Sequence, residues 1–297
     1  MARFSEEFPV PTPRPHLRDW ELVAPPVTLR PGVVGTAFDY LFRFHLQRSN
    51  SNAQNDGWVA GNSLCHLEGD LAKEADNILD SALSHYQNFL AGQPLDEELL
   101  KSAVLLAQLD AVFRSGGRIP ASGKFTVEPE DIEDLWQLLD VCPWDQWQSI
   151  LGLELNPTFG NASVLVGGAD GDFWVDDSLY ELKTVRNFKK LTSHHHQLIG
   201  YSALNFLSCG PPISEVAIYF ARFARTLKYD APNWEDPRYI PFFCWFCRAS
   251  TEGFGTSFIL ESLIQEMPKE LALRAPLADL AKELSVRDEQ SKILTLD

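Results

Sequence analysis

The sequence has few basic residues and no long apolar segment. It contains 25 Lys and Arg against 41 Asp and Glu, a net charge of −16 over 297 residues. This balance excludes a protein that coats nucleic acid through a dominant basic surface, although it leaves room for a local basic groove. No apolar run approaches the roughly 18 residues that a membrane span needs, so we expect no membrane association.

Cysteine is also scarce, with five residues scattered along the chain. An odd, scattered set does not form a disulfide framework and favours a reducing compartment. The N-terminus lacks the apolar core of a secretory signal, and together these features predict a cytoplasmic protein.

Apolar spacing divides the chain into helical and β-rich regions. Residues three or four apart predict a helix beginning at Gly35 and helices over 70–90, 96–114, 131–139 and 193–207, the last capped by Ser193. Short β-prone runs predict strands over 162–166, 172–175, 179–184, 215–225 and 239–248. From Ser257 the pattern is helical again, with breaks at Pro268 and Pro276. Helices around a β-rich centre predict an α/β core.

The predicted organisation is one α/β core with a helical insertion. Residues 1–34 carry seven prolines and are expected to form an extended N-terminal arm. Residues 35–64 and 151–256 would supply the core, residues 65–150 the helical insertion, and residues 257–297 the C-terminal helices.

Positive charge is concentrated in one part of the chain. Between Leu182 and Tyr229 there are seven basic residues and one acid, a net charge of +6, whereas the other 249 residues carry −22. The basic residues are Lys183, Arg186, Lys189, Lys190, Arg222, Arg225 and Lys228. This asymmetry suggests an anionic ligand on one face, the alternative being a solvated basic helix end.

The β-rich centre contains a candidate hairpin that carries charged residues. A turn at Asp177-Ser178 pairs Asp172 with Lys183 and Trp174 with Glu181, which places Asp172, Glu181 and Lys183 on one face. Buried unpaired charges are costly, so a divalent cation or a solvent channel should lie beside them. Carboxylate ligands favour Mg²⁺ or Mn²⁺ over zinc. The alternative is an exposed hairpin with its charged side chains in solvent.

The next predicted helix completes a recognisable set. Gln197 and Tyr201 are four residues apart and therefore share one face. Asp172, Glu181-Leu182-Lys183 and Gln197-x-x-x-Tyr201 together resemble the PD-(D/E)xK nuclease superfamily, in its RecB-like branch with a QxxxY motif. That branch opens with a G-x-x-x-H helix. Here Gly35-x-x-x-Asp39 has Asp where His is usual, and Asp can also ligate Mg²⁺.

The resemblance implies a restriction-endonuclease-like mixed sheet flanked by helices, with the activity of a Mg²⁺- or Mn²⁺-dependent deoxyribonuclease of the exonuclease or end-processing type. Under this resemblance the metal ligands would be Asp39, Asp172, Glu181 and the Leu182 carbonyl. The catalytic residues would be Asp172, Glu181, Lys183, Gln197 and Tyr201. The nucleic-acid-binding residues would be Arg186, Lys189, Lys190, Arg222 and Arg225. The expected partner is DNA, with RNA, a protein partner or a homo-oligomer left open.

Other readings of the sequence are weaker. A nuclease-fold protein that binds nucleic acid or a protein without cutting is the main alternative, while a small-molecule enzyme lacks the expected glycine-rich phosphate loop. Some RecB-like nucleases carry an iron–sulfur cluster on four cysteines. Cys65, Cys142 and Cys209 do not have that family's spacing relative to Cys244-x-x-Cys247, so we expect no cluster and buried free thiols instead. The run His194-His195-His196 is expected to be a solvated helix start.

Overall fold

The computed structural model describes residues 2–9, 14–55, 57–120, 123–148, 150 and 152–294. Within them, one mixed sheet has six strands in chain order. The strands are β1 (Gln54–Asn55), β2 (Leu153–Leu155), β3 (Phe173–Val175), β4 (Ser178–Lys183), β5 (Glu215–Phe220) and β6 (Arg225–Asp230). The pairs β1–β2 and β4–β5 are parallel, and the other neighbours are antiparallel. The chain is therefore a mixed α/β protein.

Helices cover both faces of the sheet. They are α1 (Ala2–Glu7), α2 (Pro31–Ser49), α3 (Gly69–Leu90), α4 (Glu97–Arg114), α5 (Pro129–Val141), α6 (Gly160–Leu165), α7 (Leu191–Leu207), α8 (Ile240–Phe254), α9 (Ser257–Glu266) and α10 (Arg274–Leu294). Short 3-10 helices link several of these elements. In the part of the chain that the structure describes, no helix is both long and apolar enough to cross a membrane.

The sheet separates two apolar clusters, because successive side chains on a strand point to opposite faces. On β5, Ala217 and Tyr219 join the cluster formed with α2 to α5, whereas Val216 and Ile218 join the cluster formed with α6 to α10. The helices of residues 65–150 therefore share an apolar core with α2 and the sheet.

Three predicted strands have a different structure. Residues 162–166 lie mainly in α6, and residues 239–248 lie mainly in α8, because a short continuous apolar run fits a buried helix as well as a strand. The run 215–225 is divided: β5 ends at Phe220, Ala224 adopts a left-handed conformation with φ 49°, and β6 returns antiparallel to β5.

The predicted extended arm includes two helical segments, α1 and a 3-10 helix over Arg14–Asp19, while residues 10–13 lie outside the described residues. Phe8, at the end of α1, is buried with its ring centroid 5.0 Å from that of Phe242 on α8. Helix α2 begins at Pro31 rather than Gly35, because a proline in the first turn lacks only an N–H that would have no helical partner. Pro276 likewise lies in the first turn of α10 and does not interrupt it, whereas Pro268 follows α9 as expected.

Candidate active site

A glycine brings α2 against the end of β4. A Cβ atom on Gly35 would lie 2.8 Å from the Oγ1 of Thr184, the residue that follows β4. Only a residue without a side chain allows the helix to pack this closely. Asp39 is one turn further along the same side of α2, so this contact determines how Asp39 approaches the sheet.

Asp39 is paired with an arginine on its own helix. Arg43 Nη2 donates a hydrogen bond to Asp39 Oδ2 at 2.5 Å, and the guanidinium carbon of Arg43 lies 4.8 Å from the centroid of the Tyr40 ring. Burial raises the pKa of Asp39 to about 6, with a further increase from the negative charge of Asp172, against the opposing effect of Arg43. Arg43 was missed in the sequence, although its i+4 spacing from Asp39 was visible there.

The β3–β4 hairpin has its turn one residue earlier than predicted. Trp174 pairs with Leu179, so the two turn residues are Asp176-Asp177 rather than Asp177-Ser178. Asp176 has a φ of 52°, a left-handed conformation that Asp tolerates better than most residues. Each predicted strand partner therefore moves by two residues. An even shift preserves the face on which each side chain lies.

Asp172, Glu181 and Lys183 meet at this hairpin. Asp172 Oδ2 accepts a hydrogen bond from the backbone N–H of Leu182 at 2.5 Å, and Lys183 Nζ donates to Glu181 Oε1. In a strand the N–H and C=O of one residue point to the same side, so the Leu182 carbonyl also faces the Asp172 side. The structure therefore brings these predicted site residues together.

Burial controls the protonation of this group. It raises the pKa of Asp172 to about 7, assisted by the negative charge of Glu181, and it raises the pKa of Glu181 against the opposing attraction of Lys183. Burial lowers the pKa of Lys183, but the charges of Glu181 and Asp172 outweigh it, and the net pKa is raised. Lys183 therefore remains a cation at neutral pH.

Gln197 and Tyr201 lie on the face of α7 that packs toward Glu181. Gln197 Nε2 donates to Tyr201 Oη at 2.8 Å. Burial raises the pKa of the Tyr201 hydroxyl, and the negative charge of Glu181 raises it further. Helix α7 begins at Leu191, so Ser193 lies inside it and is not the N-cap.

His194 is a site residue that the sequence interpretation missed. It precedes Gln197 by three residues and Tyr201 by seven, a spacing that places all three on one side of α7. Its Nε2 is buried with no hydrogen-bond partner among the described residues. Burial lowers the pKa of His194 to about 4, with further decreases from the positive charges of Lys183 and Lys190. His194 is thus a neutral side chain beside Lys183 rather than part of a solvated helix start.

The charged cluster, defined as Asp39, Arg43, Asp172, Glu181 and Lys183, has free oxygen atoms. Asp39 Oδ1 and Glu181 Oε2 are buried without a hydrogen-bond partner among the described residues. Such atoms are the ligands that Mg²⁺ or Mn²⁺ takes in proteins. No three Asp, Glu, His or Cys side chains in the described ranges are close enough to form a metal-binding group. The two unpartnered oxygens are therefore candidate ligand positions, while the other oxygen of each carboxylate accepts a hydrogen bond from a neighbouring cation, Arg43 or Lys183.

Four of the predicted nucleic-acid-binding residues are exposed. Arg186, Lys189 and Lys190 lie on the segment between β4 and α7. Arg225 begins β6 and pairs with Phe220, which itself pairs with Lys183, so Arg225 lies two strands from Lys183. Two strand spacings amount to about 10 Å. These cations therefore lie at the same end of the sheet as the charged cluster.

Arg222 contradicts the expectation that it contacts phosphates. Its side chain is 1% exposed and forms two hydrogen bonds to Asp134, from Nη1 at 2.7 Å and from Nη2 at 3.0 Å. It also donates to the carbonyls of Ala24 and Thr184. The positive charge of Arg222 is paired with Asp134 inside the protein, so a phosphate cannot reach it.

Cys244 and Cys247 lie on α8 rather than on the predicted strand. All five cysteines are free thiols. Burial raises the pKa of the Cys244 and Cys247 thiols, which disfavours the thiolate form that metals bind.

Compared with known proteins, the chain matches no protein-family model, no curated protein and no solved structure.

Proposed function

We propose that this protein is a divalent-metal-dependent deoxyribonuclease of the exonuclease or end-processing type. The observation that carries the proposal is the charged cluster, in which Asp39 from α2 is brought to Asp172, Glu181 and Lys183 at the end of a mixed sheet. Two of its buried carboxylate oxygens have no hydrogen-bond partner among the described residues. Most buried carboxylate oxygens in folded proteins have a hydrogen-bond partner, so these two oxygens are candidate positions for a ligand.

The side chains have distinct roles in phosphodiester hydrolysis. Asp39, Asp172, Glu181 and the Leu182 carbonyl would hold Mg²⁺ or Mn²⁺, which supplies Lewis acidity toward the scissile phosphate and the attacking water. Lys183 stays protonated and orients that water or stabilises the negative charge that develops on the phosphate. Asp172 is itself oriented by the backbone N–H of Leu182.

The surroundings of the cluster provide contacts for a polynucleotide backbone. Gln197 and Tyr201 present hydrogen-bonding groups beside the carboxylates. Arg186, Lys189, Lys190 and Arg225 supply exposed positive charge at the same end of the sheet. Each phosphate that they neutralise releases counterions, so binding should weaken steeply as salt concentration rises.

A non-catalytic nucleic-acid-binding protein is the second candidate function. Two observations favour it: Arg43 is hydrogen-bonded to Asp39, and no three potential ligands form a closed group within the described residues. In this function the buried cations would balance the carboxylates permanently. Binding without cleavage under every metal condition distinguishes it from the first proposal.

The proposal is tested with end-labelled linear DNA and closed-circular DNA in Mg²⁺, Mn²⁺ or EDTA. We expect metal-dependent cleavage that Lys183→Ala lowers at least about 100-fold, because an interaction with the transition-state charge is lost. Lys228→Ala is the matched control, since Lys228 is an exposed lysine of the same sheet that pairs with Glu215. Cleavage of the linear substrate alone would indicate an exonuclease.

A different result would reject the nuclease. If no metal supports cleavage while salt-sensitive DNA binding persists, the second candidate is favoured. If Lys183→Ala cuts as fast as the wild-type chain, the cleavage does not come from this site.

A further inference from the structure

The helices of residues 65–150 bring one arginine to the charged cluster. Arg114 lies in the last turn of α4, and its Nη2 is 3.5 Å from Asp170 Oδ2, a salt-bridge distance. Asp170 precedes Asp172 by two residues, which span at most about 7 Å. Arg114 therefore contacts the segment that leads directly to Asp172.

A second chain of contacts joins Arg114 to the other side of the cluster. Its Nε donates a hydrogen bond to Asp110 Oδ1 at 2.6 Å, and Asp110 Oδ2 accepts from the Tyr40 hydroxyl at 3.3 Å. The centroid of the Tyr40 ring lies 4.8 Å from the guanidinium carbon of Arg43, a member of the cluster. Because the side chain of Asp110 is only 4% exposed, Arg114 is anchored through Nε to a buried carboxylate.

The anchored guanidinium still has donors for a ligand. The side chain of Arg114 is 54% exposed, and its Nη1 has no hydrogen-bond partner among the described residues. The contact with Asp170 is long and partly exposed to solvent, and such ion pairs contribute little to stability. A phosphate can accept two parallel hydrogen bonds from a guanidinium, which is a stronger interaction. A phosphate can therefore replace Asp170 while Nε stays bonded to Asp110.

We infer that Arg114 binds a backbone phosphate of the nucleic acid beside the charged cluster, so that the helical region over 65–150 supplies a substrate contact. Arg114 would hold the polynucleotide from α4, whereas the exposed cations described above would hold it from the end of the sheet and from the segment before α7. This inference rests on the proposed function, specifically on its binding of nucleic acid.

The inference is tested by DNA binding in EDTA, where metal-dependent cleavage does not occur. Fluorescence anisotropy follows the binding of a labelled DNA duplex with a single-stranded end over a series of KCl concentrations. The variant combines Asp110→Asn with Arg114→Met, which removes the cation, leaves no carboxylate at position 110 and keeps the net charge of the wild-type chain. We expect about tenfold weaker binding, and a slope of log affinity against log salt that is smaller in magnitude by about 0.9, the contribution of one phosphate contact.

Two controls separate a phosphate contact from other effects. Asp110→Asn alone keeps the cation and an amide oxygen that can accept from Arg114 Nε, so it should retain the wild-type slope. Arg118 is an exposed arginine four residues beyond Arg114, and its side chain has no partner among the described residues. Arg118→Met should also retain the slope, because no such contact holds Arg118 at the cluster.

A second measurement uses the wild-type chain and does not depend on the folding of a variant. Phenylglyoxal modifies accessible guanidinium groups, and mass spectrometry gives the rate of modification at each arginine. At a saturating concentration of the same DNA, modification of Arg114 should slow at least about tenfold and that of Arg118 should change less than about twofold, because only a bound guanidinium is shielded.

The outcomes separate this inference from the proposed function. An unchanged salt slope in the double variant, equal losses in the double variant and Arg118→Met, or modification of Arg114 that DNA does not slow would overturn the inference alone. Failure of the wild-type chain to bind DNA at any salt concentration would overturn the inference and the proposed function together. The expected changes at Arg114 without DNA cleavage in Mg²⁺ or Mn²⁺ would support the inference and reject the deoxyribonuclease.

Discussion

Two buried groups of charged side chains lie near the end of β4, and they are built differently. In the Arg222–Asp134 ion pair, the guanidinium donates from Nε, Nη1 and Nη2, and both carboxylate oxygens accept. In the charged cluster, Asp39 and Glu181 each keep one buried oxygen without a partner among the described residues. Both groups are removed from water, but only in the Arg222–Asp134 ion pair does every one of these carboxylate oxygens have a hydrogen-bond partner.

The difference separates a structural ion pair from a site that can accept a ligand. Burying charge is costly unless each group is paired and hydrogen-bonded, so a complete pair stabilises a unique packing arrangement. An incomplete cluster lowers stability, and a protein retains it where function requires it. The comparison therefore predicts that substitutions in the Arg222–Asp134 ion pair will mainly lower stability, whereas substitutions in the charged cluster will mainly lower activity.

The largest expected effect on stability is that of Arg222→Met. Removing this arginine leaves the buried carboxylate of Asp134 uncompensated, so we expect the free energy of unfolding to fall by about 3–5 kcal/mol. Arg225→Met is the control, because Arg225 is exposed and its guanidinium carbon lies 5.6 Å from the centroid of the Trp20 ring. Its loss should cost less than about 1 kcal/mol. Urea denaturation measures both, and similar losses for the two variants would contradict this interpretation.

Glu181→Gln should show the opposite pattern. Replacing the carboxylate by an amide of the same shape removes a proposed metal ligand and the partner of Lys183, so under the proposed function cleavage should fall at least about 100-fold. The free energy of unfolding should change by less than about 1 kcal/mol, because the burial that raises the pKa of Glu181 already disfavours its charged form.

Asp134→Asn is the matched variant for Glu181→Gln, since it makes the same chemical change in the Arg222–Asp134 ion pair. It should lower stability and leave cleavage by the folded fraction close to that of the wild-type chain. If Glu181→Gln destabilises the protein as much as Asp134→Asn does, the distinction between the two groups fails.

Gly35→Ala is expected to have a smaller effect, through the position of α2. The added Cβ would meet Thr184 Oγ1 at 2.8 Å and push Asp39 away from the cluster. We expect about a tenfold loss of cleavage, since small displacements of catalytic groups are costly. Stability should change little, because alanine favours the helix by about 1 kcal/mol and offsets part of the strain. Gly35→Ala with Thr184→Ala should recover activity, and an inactive double variant would reject the steric explanation.

The last expected effect concerns the pH dependence of stability rather than activity, and it comes from a half-buried histidine outside both groups. His45 stacks on Trp144 with ring centroids 4.1 Å apart, and burial, followed by the charge of Arg48, lowers its pKa from 6.5 to about 4. A lowered pKa means that folding favours neutral His45. Its contribution to stability is therefore present above pH 6.5 and is lost as the pH falls toward 4.

His45→Gln should reduce the slope of the free energy of unfolding against pH by at most about 1.4 kcal/mol per pH unit, because one titrating group takes up at most one proton on unfolding. Urea denaturation between pH 7 and pH 4 measures this slope. His66→Gln, at an exposed position, controls for the loss of a histidine. An unchanged slope in His45→Gln would show that His45 is as easily protonated in the folded chain as in the unfolded chain.

Much of the local structure could be predicted because it depends on neighbouring residues. The 3.6-residue spacing of apolar side chains predicted α3, α4 and α7 to within a few residues. The alternation along Glu181-Leu182-Lys183 correctly put the two charged side chains on one face. Asp172 stays on that face although the predicted turn was wrong, because the pairing changed by an even number of residues. The run 239–248 was mistaken for a strand because its nearly continuous apolar character has no clear period.

The site was harder to predict than the helices. Gln197 and Tyr201 were identified by their spacing, and the same spacing could have identified His194 at the preceding turn of α7. Arg43 was one turn beyond Asp39, but nothing in the sequence showed that its charge would be buried there.

By itself, the sequence determined the helical periods, the charge asymmetry and the order of Asp172, Glu181, Lys183, Gln197 and Tyr201, since each of these is a property of residues near one another in the chain. Only the tertiary structure decided which cations are buried and which are exposed. Arg222 and Arg225 are the same residue type and lie three residues apart, yet Arg222 contacts Asp134 and Ala24 while Arg225 faces solvent. The partners of Arg222 are 88 and 198 residues away along the chain. Burial of a charge depends on such distant contacts, and local spacing carries no information about them.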